Sequence, residues 1–229
     1  AASDVYKRQE HVLVIDKPAG MPVHPSQGHY ENTLANGIAW YYRNEATPFV
    51  FRAVNRLDRD TSGLVLLAKN PYSSCVLSDA VKDHTIHREY AAIVSGKTDA
   101  SGTIDLPIAR KDGSTIERVC DPERGETAVT HYRTFAYNKD ADISFIRLLL
   151  ETGRTHQIRV HMKAIGHPLP GDFLYCPDYR FIDRQPLHST YLIFSHPMTG
   201  EKLEFSASLP EDMRKLFPDI KNPSGPVFF

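Results

Sequence analysis

The chain has 229 residues, 41% hydrophobic and 24% charged, which allows one large domain or two small ones around a substantial core. Lys+Arg total 27 against 28 Asp+Glu, so net charge points to no partner and any nucleic-acid role must rest on local clusters. No apolar run approaches the ~20 residues of a membrane helix, no secretory signal is visible, and three scattered cysteines without a CxxC argue against a disulfide framework or a zinc ribbon.

Residues 1–9 have no periodicity or cap linking them to the next segment and read as a leader, foreign or unstructured, ahead of a single domain over 10–229. His11 to Asp16 reads as a strand stopped by the turn cluster Lys17-Pro18-Ala19-Gly20. Thr33 to Arg43 has a helical face of Leu34, Ile38 and Tyr41, with Thr33 near the N-cap. Gly63 to Lys69 is apolar enough for a buried strand. Asn70-Pro71 then caps a helix running to about Asp83, with Val76, Leu77, Ala80 and Val81 inward. Tyr90 to Val94 is a strand, and Lys97 to Thr127 is polar loop with short strands. Thr127–Tyr137 and Ile143–Thr152 form a hairpin turned at 138–142, with Ile146, Leu148 and Leu150 on its core face. Thr155 to Ile165 reads as a helix with Thr155 as N-cap and Gly166 at C′. Ser189–His196 and Lys202–Ser206 pair around Pro197–Gly200. Strands mixed with few helices, without βαβ alternation, predict an α+β fold with a mixed, largely antiparallel central sheet flanked by helices and loops.

Two segments concentrate chemistry. Asn55-Arg56-Leu57-Asp58-Arg59-Asp60-Thr61-Ser62-Gly63 puts two arginines and two carboxylates in one polar loop before a buried strand, an arrangement suited to an anionic substrate. Taken alone, Asp58 reads first as an Asx-turn residue or a structural partner of a neighbouring arginine, and Asp60 is better placed for the turn. A glycosidase-like pair is disfavoured, because carboxylates two residues apart rarely flank a substrate. Gly153-Arg154-Thr155-His156-Gln157-Ile158-Arg159-Val160-His161 offers a helix N-terminus and two arginines to a phosphate or carboxylate, or else a solvated basic face. His156 and His161, five apart, diverge on a helix, so no metal is expected.

Jointly, these segments resemble the RluA-type pseudouridine synthases. Matching pieces are Asp16–Gly20, Arg56–Gly63, Arg88-Glu89-Tyr90, Gly153–His161, Gly166-His167-Pro168 with Gly171-Asp172, and His196-Pro197 with Thr199-Gly200. They stand in the family's order from about Glu10 to Phe217, nearly the whole chain. The resemblance implies the pseudouridine synthase catalytic fold with a central RNA-binding cleft. It implies isomerisation of uridine in ribosomal or transfer RNA, by base flipping, with no metal or organic cofactor. By motif position Asp58 corresponds to the essential aspartate, acting as nucleophile at C1′ or as base at the 2′ position. Tyr90 corresponds to the base-stacking tyrosine that helps remove the C5 proton. Arg159 corresponds to the cation that pairs with the aspartate, Ile158 to the apolar residue beneath the base, and Arg56 to the residue that fills the gap left by the flipped nucleotide. Arg59, Arg88, Arg154 and His156 are then expected on RNA phosphates. A monomeric cytoplasmic enzyme is expected. The rivals are a non-catalytic RNA-binding or chaperone protein on the same scaffold and, more remotely, a hydrolase using Asp58 and Asp60.

Three departures stand out. Asn55 replaces a frequent histidine, which is expected to alter RNA contacts rather than the catalytic step. Arg88 replaces a frequent lysine and keeps its charge. The chain starts too late to hold the N-terminal S4 RNA-binding domain of many relatives.

Overall fold

The computed structural model describes residues 5–8, 10–26, 28, 30–44, 49–221 and 225–228. In chain order its elements are β1 (Val5–Arg8), β2 (Val12–Lys17), α1 (Leu34–Tyr41), β3 (Ser62–Ala68), α2 (Pro71–Lys82), β4 (His87–Ser95), β5 (Ser101–Asp105), β6 (Ile108–Arg110), β7 (Arg118–Cys120), β8 (Val129–Asn138), β9 (Ile143–Leu150), α3 (Gln157–Ala164), β10 (Leu187–Ser195), β11 (Lys202–Ser206) and α4 (Glu211–Leu216). This is the expected α+β class, and the pairs β1–β2, β2–β3, β4–β9, β8–β9, β5–β8, β6–β7 and β10–β11 are all antiparallel. The chain forms two compact units. One is Ala1–Ile86 with Tyr191–Ala207, the other His87–Thr190 with Ser208–Phe229. No helix among the described residues is long and apolar enough to cross a membrane.

The first unit orders its strands β1-β2-β3-β10, with β11 on β10. Every residue of β3 is buried, as its continuous apolar run requires. Val12 and Val14 on β2 meet Leu64 and Leu66 on β3, and α2 adds Leu77, with Phe194 and Phe205 stacked beside them. The caps arise from local chemistry. Thr33 and Asn36 form a capping box at α1. Asn70 Oδ1 accepts the Ser73 N–H at 2.8 Å, with Pro71 at the first position of α2; such a cap stabilises by about 1 kcal/mol. Residues 5–8, read from the sequence as part of a leader, form β1 along β2. The remainder of that leader, 1–4 and 9, lies outside the described residues.

The second unit orders its strands β10-β4-β9-β8-β5, and Thr190 Oγ1 on β10 donates to the Glu89 carbonyl on β4. The β8–β9 hairpin turns where expected, with Asn138 Oδ1 accepting the N–H groups of Asp140 and Ala141 at 3.1 Å. β9 is buried on both faces, beyond the single core face of Ile146, Leu148 and Leu150. Its other face carries Phe145 and Arg147, and the Arg147 charge is met by Glu89 at 2.5 Å. A second cluster joins Ile93, Ile143 and Phe145 to Met213 and Phe217 around α4.

Helix α3 ends as expected. Gly166 (φ +88°) takes the left-handed C′ conformation, and His167 N–H bonds back to Met162 O at 2.8 Å. Its start differs from the sequence reading. The N-cap is His156, at φ +58° and without a side-chain cap bond, rather than Thr155. The Gln157 side chain instead ties the segment leading into the helix to β8. Its Oε1 accepts from Arg154 N–H at 2.9 Å and Thr152 Oγ1 at 2.8 Å, and its amide donates to Val129 O and Thr130 Oγ1 at 3.0 Å.

Candidate active site

In the first unit, Arg56, Asp58 and Arg59 share the loop that enters β3. The loop is pinned from beneath by two buried polar side chains. Asn55 donates from its amide to Leu64 O at 3.2 Å and accepts Leu66 N–H at 2.7 Å, both on β3. Lys17 is fully buried at the end of β2 and donates from Nζ to Pro18 O (2.8 Å), Met21 O (2.8 Å) and Arg59 O (3.0 Å). The ammonium thus ties the β2 turn to the carbonyl one residue beyond Asp58. Leu57 anchors the loop as a buried neighbour, and Thr61 N–H closes its turn on Asp58 O at 3.2 Å.

Between these anchors Asp58 is half-buried, whereas Arg56 and Arg59 are exposed. Arg59 makes a two-pronged pair with Asp60, Nε to Oδ1 at 2.9 Å and Nη2 to Oδ2 at 2.8 Å. Asp60 thus engages Arg59, and Lys17 and the Thr61 N–H also hold the turn. Asn55 also departs from expectation. Its side chain is buried against β3 and braces the loop, so the exchange for histidine changes the scaffold rather than an RNA-facing group. His24 lies near Arg56. Burial, and then that guanidinium, hold its imidazole below the ordinary histidine value.

In the second unit, Tyr90 sits on β4, buried, paired in register with Leu148. Strand alternation puts Arg88 and Tyr90 on one face, with His87 and Glu89 on the other. Glu89 is fully buried and accepts from His87 Nε2 at 2.9 Å, Arg147, and the N–H groups of Val227 (2.9 Å) and Phe228 (3.2 Å). Burial pushes its carboxyl up, but these donors together hold it below the ordinary glutamate value.

Arg159 and Ile158 lie in the first turn of α3, both buried. Within this unit Arg159 is clasped by Asp172, Nε to Oδ2 at 2.6 Å and Nη2 to Oδ1 at 2.8 Å. Asp172 is itself held, since Oδ1 accepts the N–H groups of Leu174 (3.0 Å) and Tyr175 (3.2 Å). Gly171 makes this possible. It takes φ +78°, and a Cβ there would come within 2.5 Å of the Ile182 and Arg184 carbonyls. Tyr175 lies under Arg159, ring centroid 5.0 Å from Cζ, with its hydroxyl bonded to Arg118 N–H and His156 Nδ1, each at 2.9 Å. Burial pushes the Tyr175 phenol up to about 12, so it is a neutral hydrogen-bonding group at physiological pH.

The other residues expected on RNA phosphates have partners or neighbours of their own. Arg154 pairs with Glu126 and donates to Thr127 O at 3.0 Å. His156 is turned onto Tyr175. Arg88 is buried against Gly153. His161, which the metal reading paired with His156, is fully buried and bonded to Thr130 Oγ1 and Leu106 O at 2.9 Å each. Three supporting residues escaped the sequence reading: Lys17, Asp172 and Tyr175. Lys17 and Asp172 stood inside recognisable motifs, but nothing in residue type showed that one was buried under the loop and the other clasped Arg159. Tyr175 carried no signal at all.

Residues 11–164 match the model of the family described as RNA pseudouridylate synthase. The chain is 46% identical over 214 residues to an "Uncharacterized RNA pseudouridine synthase YjbO" of Bacillus subtilis (strain 168), covering 93% of this chain and 75% of that protein. It is 40% identical over 234 residues to a "Ribosomal large subunit pseudouridine synthase D" of Zymomonas mobilis, covering 93% and 71%. Among solved structures, "Human RNA Pseudouridylate Synthase Domain Containing 1" superposes with a TM-score of 0.74 at 24% identity, over 90% of this chain and 83% of that one, a likeness of fold.

Proposed function

The chain belongs to the RNA pseudouridylate synthase family and is an RNA pseudouridine synthase, an isomerase, and from that premise we propose how its own residues carry the reaction. The N1–C1′ bond of a uridine breaks, the base turns, and C5 joins C1′. The C5 proton leaves and N1 gains one, so the composition of the nucleotide is unchanged. Asp58 is the carboxylate of this step, at C1′ or at the 2′ position. Tyr90 stacks on the extruded base and helps remove the C5 proton, with Ile158 beneath the base. Extrusion costs a few kcal/mol, which stacking on Tyr90 and insertion of Arg56 into the vacated gap offset. By motif position Arg159 is the cation that accompanies this carboxylate. Arg59, Arg88, Arg154 and His156 contact the RNA backbone.

The observation that supports Asp58 is the bracing of its loop. A fully buried ammonium and a buried amide are both spent on holding that backbone. Costly buried polar groups beneath one short loop favour a loop whose geometry matters. The relatives named for the ribosomal large subunit make ribosomal RNA the first substrate to try, ahead of transfer RNA. We take residues 10–229 to act as one catalytic domain, as a cytoplasmic monomer. The non-catalytic reading is not favoured.

The test is tritium release from ribosomal RNA labelled at uridine C5. The expected result is release by the wild-type chain and none by Asp58→Asn. Unchanged release by a folded Asp58→Asn would overturn the assignment.

A further inference from the structure

In the first unit, helix α1 turns an unusual face to solvent. None of its residues is charged, and its outer side holds Trp40 and Tyr41, 65% and 45% exposed. A surface helix ordinarily carries charged and polar residues there. The sequence reading placed Tyr41 on the inner face, but the chain buries Tyr42 instead. Gly37, one turn back from Tyr41, leaves open space where a side chain would stand, with nothing within 4 Å of a Cβ. Arg43 lies over the Trp40 ring, Cζ 3.9 Å from its centroid, and donates to Trp40 O at 2.8 Å.

The rings continue from there toward the catalytic loop. Tyr41 meets Tyr42 edge-on at 5.0 Å, and Tyr42 stacks on the half-buried Phe49 at 4.5 Å. Two residues further, Phe51 meets the exposed His24 at 5.0 Å, and His24 lies near Arg56. Arg52 follows Phe51 and donates to Val50 O at 3.2 Å. Guanidiniums at 43, 52 and 56 thus alternate with aromatic rings, and none is paired with a carboxylate among the described residues. The strip is also tied to the Asp58 loop. Lys17 joins Met21 O to Arg59 O, and the next two carbonyls, of Pro22 and Val23, accept the Leu34 and Ala35 N–H groups at the head of α1. Trp40 stands roughly 10 Å along the helix from that anchor.

Exposed rings interleaved with cations match a polymer that alternates bases with phosphates. A base of any sequence stacks on an aromatic face, and each guanidinium meets a phosphate. An apolar protein surface would fit the rings but leave the three charges unanswered. We infer that this strip seats single-stranded RNA flanking the target uridine, with Trp40 stacking on a base and Arg43 and Arg52 on the adjoining phosphates. None of these three residues takes part in the isomerisation itself.

This inference rests on the RNA reading above, and the experiment separates the two. Trp40 is the only tryptophan of the chain, so its emission reports on the strip alone. The Asp58→Asn protein is titrated with a single-stranded oligouridylate of about ten nucleotides, binding being followed separately by filter retention. Failure to bind would count against the RNA reading itself. With binding established, Trp40 emission is expected to be quenched and shielded from acrylamide, whereas a blunt duplex should leave it accessible. Trp40→Ala should weaken binding about five-fold or more, and Trp40→Phe should restore most of that. Arg43→Gln should lower the slope of log affinity against log salt by about 0.7, one phosphate of a single strand. Bound RNA with Trp40 still open to acrylamide, or a folded Trp40→Ala of unchanged affinity, overturns the seat. Should Trp40→Ala not fold, the acrylamide result decides alone. Equal shielding by the duplex overturns the single-stranded assignment. Shielding that grows with protein concentration in the absence of RNA, alongside faster sedimentation, would assign the strip to a second copy of the chain and likewise overturn it.

Discussion

Asp172→Asn removes a charge from the interior while keeping the side chain's shape. The carboxylate and the Arg159 guanidinium are 0% and 2% exposed, so solvent screens neither. Asparagine can still accept the Leu174 and Tyr175 N–H groups through one oxygen. Its amide then faces the Arg159 fork, donor against donor. Breaking a buried pair by removing one partner costs about 3–5 kcal/mol, mostly through the charge left behind. Against a typical stability of about 5–15 kcal/mol, that is a large fraction. Urea unfolding should therefore show a much lower midpoint with little change in slope. The double variant Arg159→Met/Asp172→Asn should lose less than the sum of its two parts, because no unpaired charge remains. Tritium release by Asp172→Asn should fall even below its unfolding midpoint, since the guanidinium loses its orientation. A loss under about 1 kcal/mol, or strict additivity in the cycle, would refute the argument that this pair fixes Arg159.

Other buried groups give four more expected outcomes. Lys17→Met leaves three loop carbonyls without their donor; unfolding should become easier by about 1–3 kcal/mol, and turnover should drop more than RNA binding, read by tritium release alongside filter binding. Glu89 is held below its ordinary 4.5, so its stabilisation is fully present above pH 4.5 and is lost as pH falls through the depressed folded value; thermal melts across acid pH should show that step in the wild type and not in Glu89→Gln. Burial holds His161 below 6.5 despite its bond to Leu106 O, so stability should decline as pH falls below 6.5, and its imidazole should titrate late by NMR in the folded protein. Tyr175→Phe takes an acceptor from Arg118 N–H and a partner from His156; it should cost about 1 kcal/mol, and an alkaline absorbance titration should lose the phenol that ionises near 12.

The local elements were legible because their signals are local. Asn70-Pro71, Thr33 with its helical face, Gly166 and the apolar run Leu64–Ala68 each carry their own stop, start or burial message within a few residues. The start of α3 was misread for the opposite reason. Thr155 is a good cap by type, yet the entry to the helix is held by the Gln157 side chain on Thr152, Val129 and Thr130, and the last two lie 28 and 27 residues away in sequence. The same holds for the site. Asp58, Tyr90 and Arg159 were legible as motif positions, whereas Lys17 reaches Arg59 across 42 residues and Asp172 reaches Arg159 across 13. Residue type gives no hint of which charged side chain is buried, and burial is what turned Lys17 and Asp172 from turn residues into supports.

Charge shows the same limit from the other side. A balance of 27 against 28 gave no hint of an RNA partner. That count averages cations of very different availability. Arg124, Arg180 and Arg184 are paired with nearby carboxylates and present little net field beyond a Debye length. Arg88 in the second unit and Arg56 in the first are instead not paired with a carboxylate among the described residues. The paired arginines then divide by burial. Arg59 is 47% exposed, and a surface pair of that kind is worth about 0–1 kcal/mol, so exchanging Asp60 for an RNA phosphate costs little. Arg159 cannot make that exchange, because abandoning Asp172 would strand a carboxylate that is fully buried. Affinity for a polyanion is therefore compatible with a neutral chain. It depends on which few guanidiniums are left unpaired or cheaply released, and the fold, not the composition, decides that.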